Sequence, residues 1–222
     1  MSCLNKYRLD KHLNLLSQKK SSIICLSRKN STNYNFKWPT NKIRQDFLDF
    51  FCKENKHKFI KSSSVLPKKD SGTYFTNAGM NQFKSVILGE MNANDLIDFE
   101  KYIGLANSQK CIRIGGKHND LDDIGKDTYH HTFFEMLGNW SFGSYGTEKA
   151  CELALTLLVN KYKLNMDGLY FTYFAGDKNL GIQADLDTKN TWLKLGVLEK
   201  HILPFDMKCN FWEMHVVGPC GP

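Results

Sequence analysis

Arg113 closes the alternating stretch Cys111-Ile112-Arg113-Ile114 and is followed by Gly115-Gly116 and then by Lys117, a second cation. Further along, Phe133 and Phe134 bring an aromatic pair into the next apolar stretch. A planar guanidinium grips phosphate or carboxylate oxygens in pairs, an ammonium supplies a movable point charge, and a flat ring gives a base a surface to lie on. A bound nucleotide needs those three parts. The glycine pair is not a phosphate cradle of a known kind, because neither G-x-G-x-x-G nor G-x-x-x-x-G-K-[ST] occurs, which excludes Rossmann and P-loop chemistry. Taken singly, Arg113 also fits a surface ion pair, and Phe133 and Phe134 fit a core.

His118, His130 and His131, with Cys111 and the aspartates Asp120, Asp122, Asp123 and Asp127, pose a metal site as the rival chemistry. On a strand His130 and His131 point to opposite sides, so one site cannot use both, and no H-E-x-x-H or Cys/His ladder is present. Asp120, Asp122 and Asp123 resemble half of an EF-hand loop without its closing Glu, and read better as a solvated acidic loop.

Two strands must carry these residues. One ends near Arg113 and a second spans His130 to Leu137, so the pair forms an antiparallel hairpin with a long loop. Around it, Ile43, Phe47, Phe50 and Phe51 recur at helical spacing, predicting a helix from Asn41 to Lys56 that begins near a Thr cap. Short strands are expected at Ser62–Leu66 and Tyr74–Thr76, and a helix from Met80 to Leu88. Thr147 precedes a helix lined by Leu153, Leu157 and Leu158, Gly168–Phe174 reads as a buried strand, and Thr188–Leu195 as a helix. Helices and antiparallel strands without a strict βαβ rhythm predict an α+β fold.

The 222 residues suffice for one sizeable core, and no apolar run reaches the ~18 residues that span a bilayer, so a membrane role is not expected. The net charge of +7 is carried wholly by residues 1–37, and the remainder is neutral, which removes the nucleic-acid footprint that the overall charge implies. Residues 1–37 are basic, nearly acid-free and rich in Ser and Asn, a composition that fits a disordered mitochondrial presequence, with a solvated tail on a cytoplasmic protein as the alternative. Seven cysteines without a C-x-x-C pair argue against a disulfide framework or a zinc ribbon and for a reducing compartment.

Three longer blocks carry a resemblance: Phe75-Thr76-Asn77-Ala78-Gly79-Met80-Asn81-Gln82-Phe83-Lys84, Cys111 through Leu121, and His130-His131-Thr132-Phe133-Phe134-Glu135-Met136-Leu137-Gly138-Asn139-Trp140-Ser141-Phe142-Gly143. With the Ile43–Phe51 helix, Phe211-Trp212-Glu213-Met214 and Gly218–Pro222, in the same order, the stretch from about 41 to 222 resembles the catalytic domain of the alanyl-tRNA synthetase family. The resemblance implies a class II synthetase fold, an antiparallel sheet flanked by helices, using ATP with Mg2+, L-alanine and tRNA(Ala). It implies that Arg113 contacts the α-phosphate and the amino-acid carboxylate, and that Lys117 is a basic residue of the same loop. His130 approaches the terminal phosphates, Phe134 stacks on adenine, and Trp212 walls the alanine pocket.

His215-Val216-Val217 depart from the family's usual Gly, variable residue and Thr, which puts the local turn in question. Beyond Pro222 the family continues with motif 3 and its arginine, then with tRNA-recognition, zinc-binding editing and oligomerisation parts. These 222 residues are therefore expected to hold motifs 1 and 2 alone, C-terminally truncated. They are expected to bind ATP weakly and not to aminoacylate. A non-catalytic nucleotide- or protein-binding remnant is the alternative.

Overall fold

The computed structural model describes residues 38–67, 73–114, 120–213 and 219–222. The basic segment 1–37, Lys117, His118 and His215-Val216-Val217 lie outside them. The described residues divide into two compact units, 38–146 and 147–222.

In the first unit α1 spans Thr40–Leu48, and Pro39 holds the N-cap position with no side-chain cap, so Thr40 is the first helical residue rather than the expected cap. The helix runs on as a π-helical turn, Asp49–Glu54. Its apolar members Phe47, Phe50 and Phe51 are buried, as their spacing requires. Asn55 Nδ2 then donates to the Phe50 carbonyl (2.8 Å), and Lys56, at φ 50°, turns the chain into β1, His57–Phe59.

β1 pairs in parallel with β2 (Gly104–Ile112), which pairs antiparallel with β3 (Phe133–Trp140), giving the order β1-β2-β3. The long-looped hairpin is thus present, with its second strand starting three residues later than the sequence reading: His130 and His131 precede β3. The segments Ser62–Leu66 and Tyr74–Thr76 are not strands. Their polar groups are drawn to side chains and to each other instead: Ser63 N–H and Oγ donate to Gln109 Oε1 (2.9 and 3.0 Å), and Thr76 N–H donates to the Val65 carbonyl (2.9 Å). A 3-10 turn, Gly79–Phe83, leads into α2, Lys84–Ile87. Phe83, Ile97 and Leu105 form a core cluster with Trp140 and Phe142 against it.

The second unit opens with α3, Thr147–Leu155, extended by a π-helical turn to Lys161. β4 (Phe171–Phe174) pairs in parallel with β5 (Ile202–Phe205) across α4 (Leu186–Lys194), which Asp185 caps by accepting from Thr188 N–H at 3.0 Å. Phe171, Val197 and Ile202 make its core with Leu155 and Trp192. α5, Met207–Asn210, is capped by Asp206 and followed by β6 (Trp212–Glu213), which pairs antiparallel with β7 (Cys220–Gly221).

Candidate active site

β2 and β3 share one face whose side chains alternate along each strand: Leu105, Asn107, Gln109 and Cys111 opposite Trp140, Gly138, Met136 and Phe134. On β2 all four are fully buried. Two of them are polar. Gln109 is saturated: Oε1 accepts from Ser63 and from Gln82 Nε2 (3.2 Å), and Nε2 donates to the carbonyls of Ser63 (3.0 Å) and Lys110 (2.8 Å). Asn107, opposite Gly138, has no side-chain partner among the described residues. Burial pushes the Cys111 thiol up to about 11, so it is an inert core residue at neutral pH rather than a nucleophile or a metal ligand.

Arg113 follows this alternation one step past β2, where its N–H still reaches the Thr132 carbonyl (3.3 Å). Its Nε donates to the Asn77 carbonyl at 2.9 Å, and its Cζ lies 5.2 Å from the centre of the Phe134 ring. Among the described residues no carboxylate pairs with Arg113. Asn77 is itself held: Thr76 is buried, donates through Oγ1 to the Ser64 carbonyl (2.9 Å), and accepts Ile112 N–H (3.0 Å). Gly79 N–H reaches Met136 Sδ (3.2 Å), and a Cβ there would sit 3.0 Å from the Trp140 ring, so a larger residue would have to push the indole aside for this turn to lie on the sheet.

His130 belongs to the same open end of the hairpin. Asp127 Oδ1 accepts the N–H groups of Tyr129 (3.0 Å) and His130 (2.8 Å), while its Oδ2 takes His130 Nδ1. Because an ionised carboxylate only accepts, Nδ1 carries the proton.

The opposite face of the sheet is tied to α1. Arg44 grips Glu135 with two nitrogens, and Ser108 Oγ donates to the same carboxylate at 2.7 Å. Glu135 is held below the usual carboxylate range by the Arg44 hydrogen bonds. Below it, His57 is 1% exposed, with Nδ1 donating to the Asn55 carbonyl (2.7 Å) and Nε2 accepting from the Tyr145 hydroxyl (2.8 Å).

The structure thus brings Arg113, Phe134 and His130 to one end of one hairpin. Trp212 belongs to the second unit, where it lies on β6 opposite Gly221 and is 42% exposed. Asn77, Gln109 and the Arg44–Glu135–Ser108 tie were not singled out from the sequence, and Asp127 only as one of the loop's aspartates, not as a partner of His130. An Asp three residues before a His is the one pattern among them that could have been.

A planar cation anchored at a strand end beside an aromatic ring can bind an anionic, flat ligand. The family model for class II (A) tRNA synthetases matches residues 42–222. The chain belongs to the class II (A) tRNA synthetases. Curated relatives of this synthetase chain are named as alanine–tRNA ligases. The cytoplasmic alanine–tRNA ligase of Bombyx mori is 56% identical over 82% of this chain and 18% of its own length. The alanine–tRNA ligase of Candida albicans is 50% identical over 93% and 21%, and the mitochondrial alanine–tRNA ligase of Saccharomyces cerevisiae 52% over 84% and 19%. The chain spans about a fifth of the length of the curated relatives it matches. Among the described residues, no helix of this synthetase chain is long and apolar enough to cross a membrane.

Proposed function

We propose that this chain carries motifs 1 and 2 of an alanine–tRNA ligase, which joins L-alanine to ATP as alanyl-adenylate and passes the alanyl group to tRNA(Ala). The observation that carries the reading is the Arg113 guanidinium, fixed through Nε on the Asn77 carbonyl and set over the Phe134 ring in a class II synthetase hairpin. In adenylate formation an oxygen of the alanine carboxylate attacks the α-phosphorus. The new C–O–P bond forms as the bond to the bridging oxygen breaks, and pyrophosphate leaves with the electron pair. Nothing is transferred to the protein, so positioning and charge neutralisation are the whole of its contribution.

Arg113 serves both purposes in this reading. Its terminal nitrogens meet the carboxylate and α-phosphate oxygens that must approach one another despite their like charge. Phe134 offers adenine an apolar surface, His130 meets the terminal phosphates, and Lys117 adds a movable charge. By the family resemblance, Trp212 is the tryptophan that walls the alanine pocket. Mg2+ enters with ATP and supplies further neutralisation of the phosphates. The test is alanine-dependent exchange of pyrophosphate into ATP by the full-length protein and its Arg113→Ala variant. Loss of exchange with the fold intact supports the reading, and unchanged exchange ends it.

We further infer that residues 1–37 direct import into mitochondria, on their positive charge and near lack of acids. Relatives named as mitochondrial and as cytoplasmic match at similar identity, so a reporter fused to residues 1–37 is the deciding measurement. A reporter that stays cytosolic makes this segment a solvated tail.

A further inference from the structure

We propose that Asp127 is a positioning residue: its carboxylate clamps both the backbone and the ring of His130, leaving Nε2 as the edge that meets the anionic end of the nucleotide. The proposal rests on the nucleotide reading of the hairpin given above. All three donors that Asp127 accepts come from two consecutive residues, Tyr129 N–H, His130 N–H and His130 Nδ1. One carboxylate therefore fixes where the residue stands and how its ring is turned. The Tyr129 ring packs against the imidazole with centroids 4.9 Å apart, closing a second side. Among the described residues none hydrogen-bonds Nε2.

Charge follows geometry. The charged groups acting on the imidazole are Asp127 in direct contact, then Asp120 and Asp123 of the same loop, and all favour the protonated ring. For Asp127, burial opposes ionisation, but the donors of His130 and Tyr129 outweigh it and hold the carboxyl at about 2. An anionic carboxylate behind Nδ1 and a phosphate before Nε2 would make His130 a two-sided cationic donor at neutral pH.

The experiment uses the full chain labelled with 15N-histidine and 15N-arginine, as wild type, Asp127→Asn and His130→Gln, the last assigning the His130 signal. Asn at 127 keeps an oxygen for the backbone N–H groups and removes the charge. The expected result is that wild-type His130 titrates above the ordinary imidazole value of ~6.5 and Asp127→Asn returns it toward that value. MgATP should raise the His130 midpoint in the wild type, and AMP, which has no terminal phosphates, should not. By calorimetry, Asp127→Asn should weaken MgATP binding at pH 8, by up to about tenfold per pH unit of lost midpoint, and match wild type at pH 5.5, where the ring is charged in both. Combined with His130→Gln, Asp127→Asn should add no further loss.

An equal loss at both pH values overturns the proposal, leaving Asp127 as a loop brace, as does an unmoved His130 titration in Asp127→Asn. If MgATP shifts the Arg113 Nε signal but not His130, this proposal fails and the nucleotide reading stands. If millimolar MgATP moves neither, the nucleotide reading fails and takes this one with it.

Discussion

Arg113 has one guanidinium nitrogen committed before any ligand arrives, and the Asn77 carbonyl that holds it is itself fixed through Thr76. The fork is therefore aimed in advance, which is where a transition-state contact gains most, because no reorganisation is needed as charge develops. In the full-length alanine–tRNA ligase proposed above, Arg113→Ala should slow adenylate formation about 100- to 1,000-fold, a loss of roughly 3 to 4 kcal/mol. Arg113→Lys should recover little of it, since an ammonium cannot hold the backbone and present a planar pair at once. Pyrophosphate exchange checks both. His57 makes the opposite use of a side chain, because its burial holds the ring neutral. Desolvation pushes its pKa below the ordinary imidazole value, so its contribution to stability is complete above about pH 6.5 and is lost as pH falls through the lowered folded value. In a His130→Gln background, which removes the opposite-signed contribution of the raised His130, thermal midpoints should therefore drop between pH 7.5 and 5.5, and Tyr145→Phe, which strips the donor from the His57 Nε2, should cost about 1 to 3 kcal/mol at neutral pH. A melting series across that pH range, with circular dichroism, reads both effects. A midpoint that stays flat on acidification contradicts the neutral buried ring.

The β2–β3 hairpin is the element on which the other parts depend. Gly138 lies under the Trp140 ring so closely that a Cβ would come within 2.1 Å of it. Gly138→Ala must expel the indole from its place on Phe83, where the ring centres are 4.6 Å apart. We expect a loss of about 1 to 3 kcal/mol, the usual cost of overpacking, seen as a lower unfolding midpoint and a red-shifted tryptophan emission. No shift in either would show that the ring tolerates displacement. How far such elements can be read from a sequence depends on where their information lies. The hairpin was readable because alternation and a polar loop are local signals. β1 was not, since three residues become a strand only by pairing with Gly104–Ala106, and a serine-rich run that looked extended gave its hydrogen bonds to Gln109. The parallel pairing of Phe171 with Ile202 escaped for the same reason: α4 separates the partners, and no local pattern states which strands meet. In the site, Arg113 and Phe134 stood out by residue type, whereas Asp127 shares its composition with aspartates that only line a turn.

On the scale of the whole chain, each unit has a core of its own, and residues 38–146 contain the complete three-stranded sheet, α1 and the Arg113 site. Residues 38–146 made alone should therefore unfold cooperatively, with circular dichroism and the fluorescence of Trp38 and Trp140 changing together; separate transitions would show that the core needs residues beyond 146. In the order β1-β2-β3, the outer side of Phe133–Trp140 pairs with no strand among the described residues. Phe-Phe-Glu-Met-Leu-Gly-Asn-Trp has one charge and no proline, and the backbone donors and acceptors of its alternate residues face away from β2, which is a template that copies of itself can extend at the ~4.8 Å strand repeat. The consequence is colloidal. Residues 38–146 should scatter light increasingly with concentration and time, and a lysine at the exposed Asn139 should suppress that growth while leaving the melting temperature within about 2 °C, the mark of a change made to association and not to the fold.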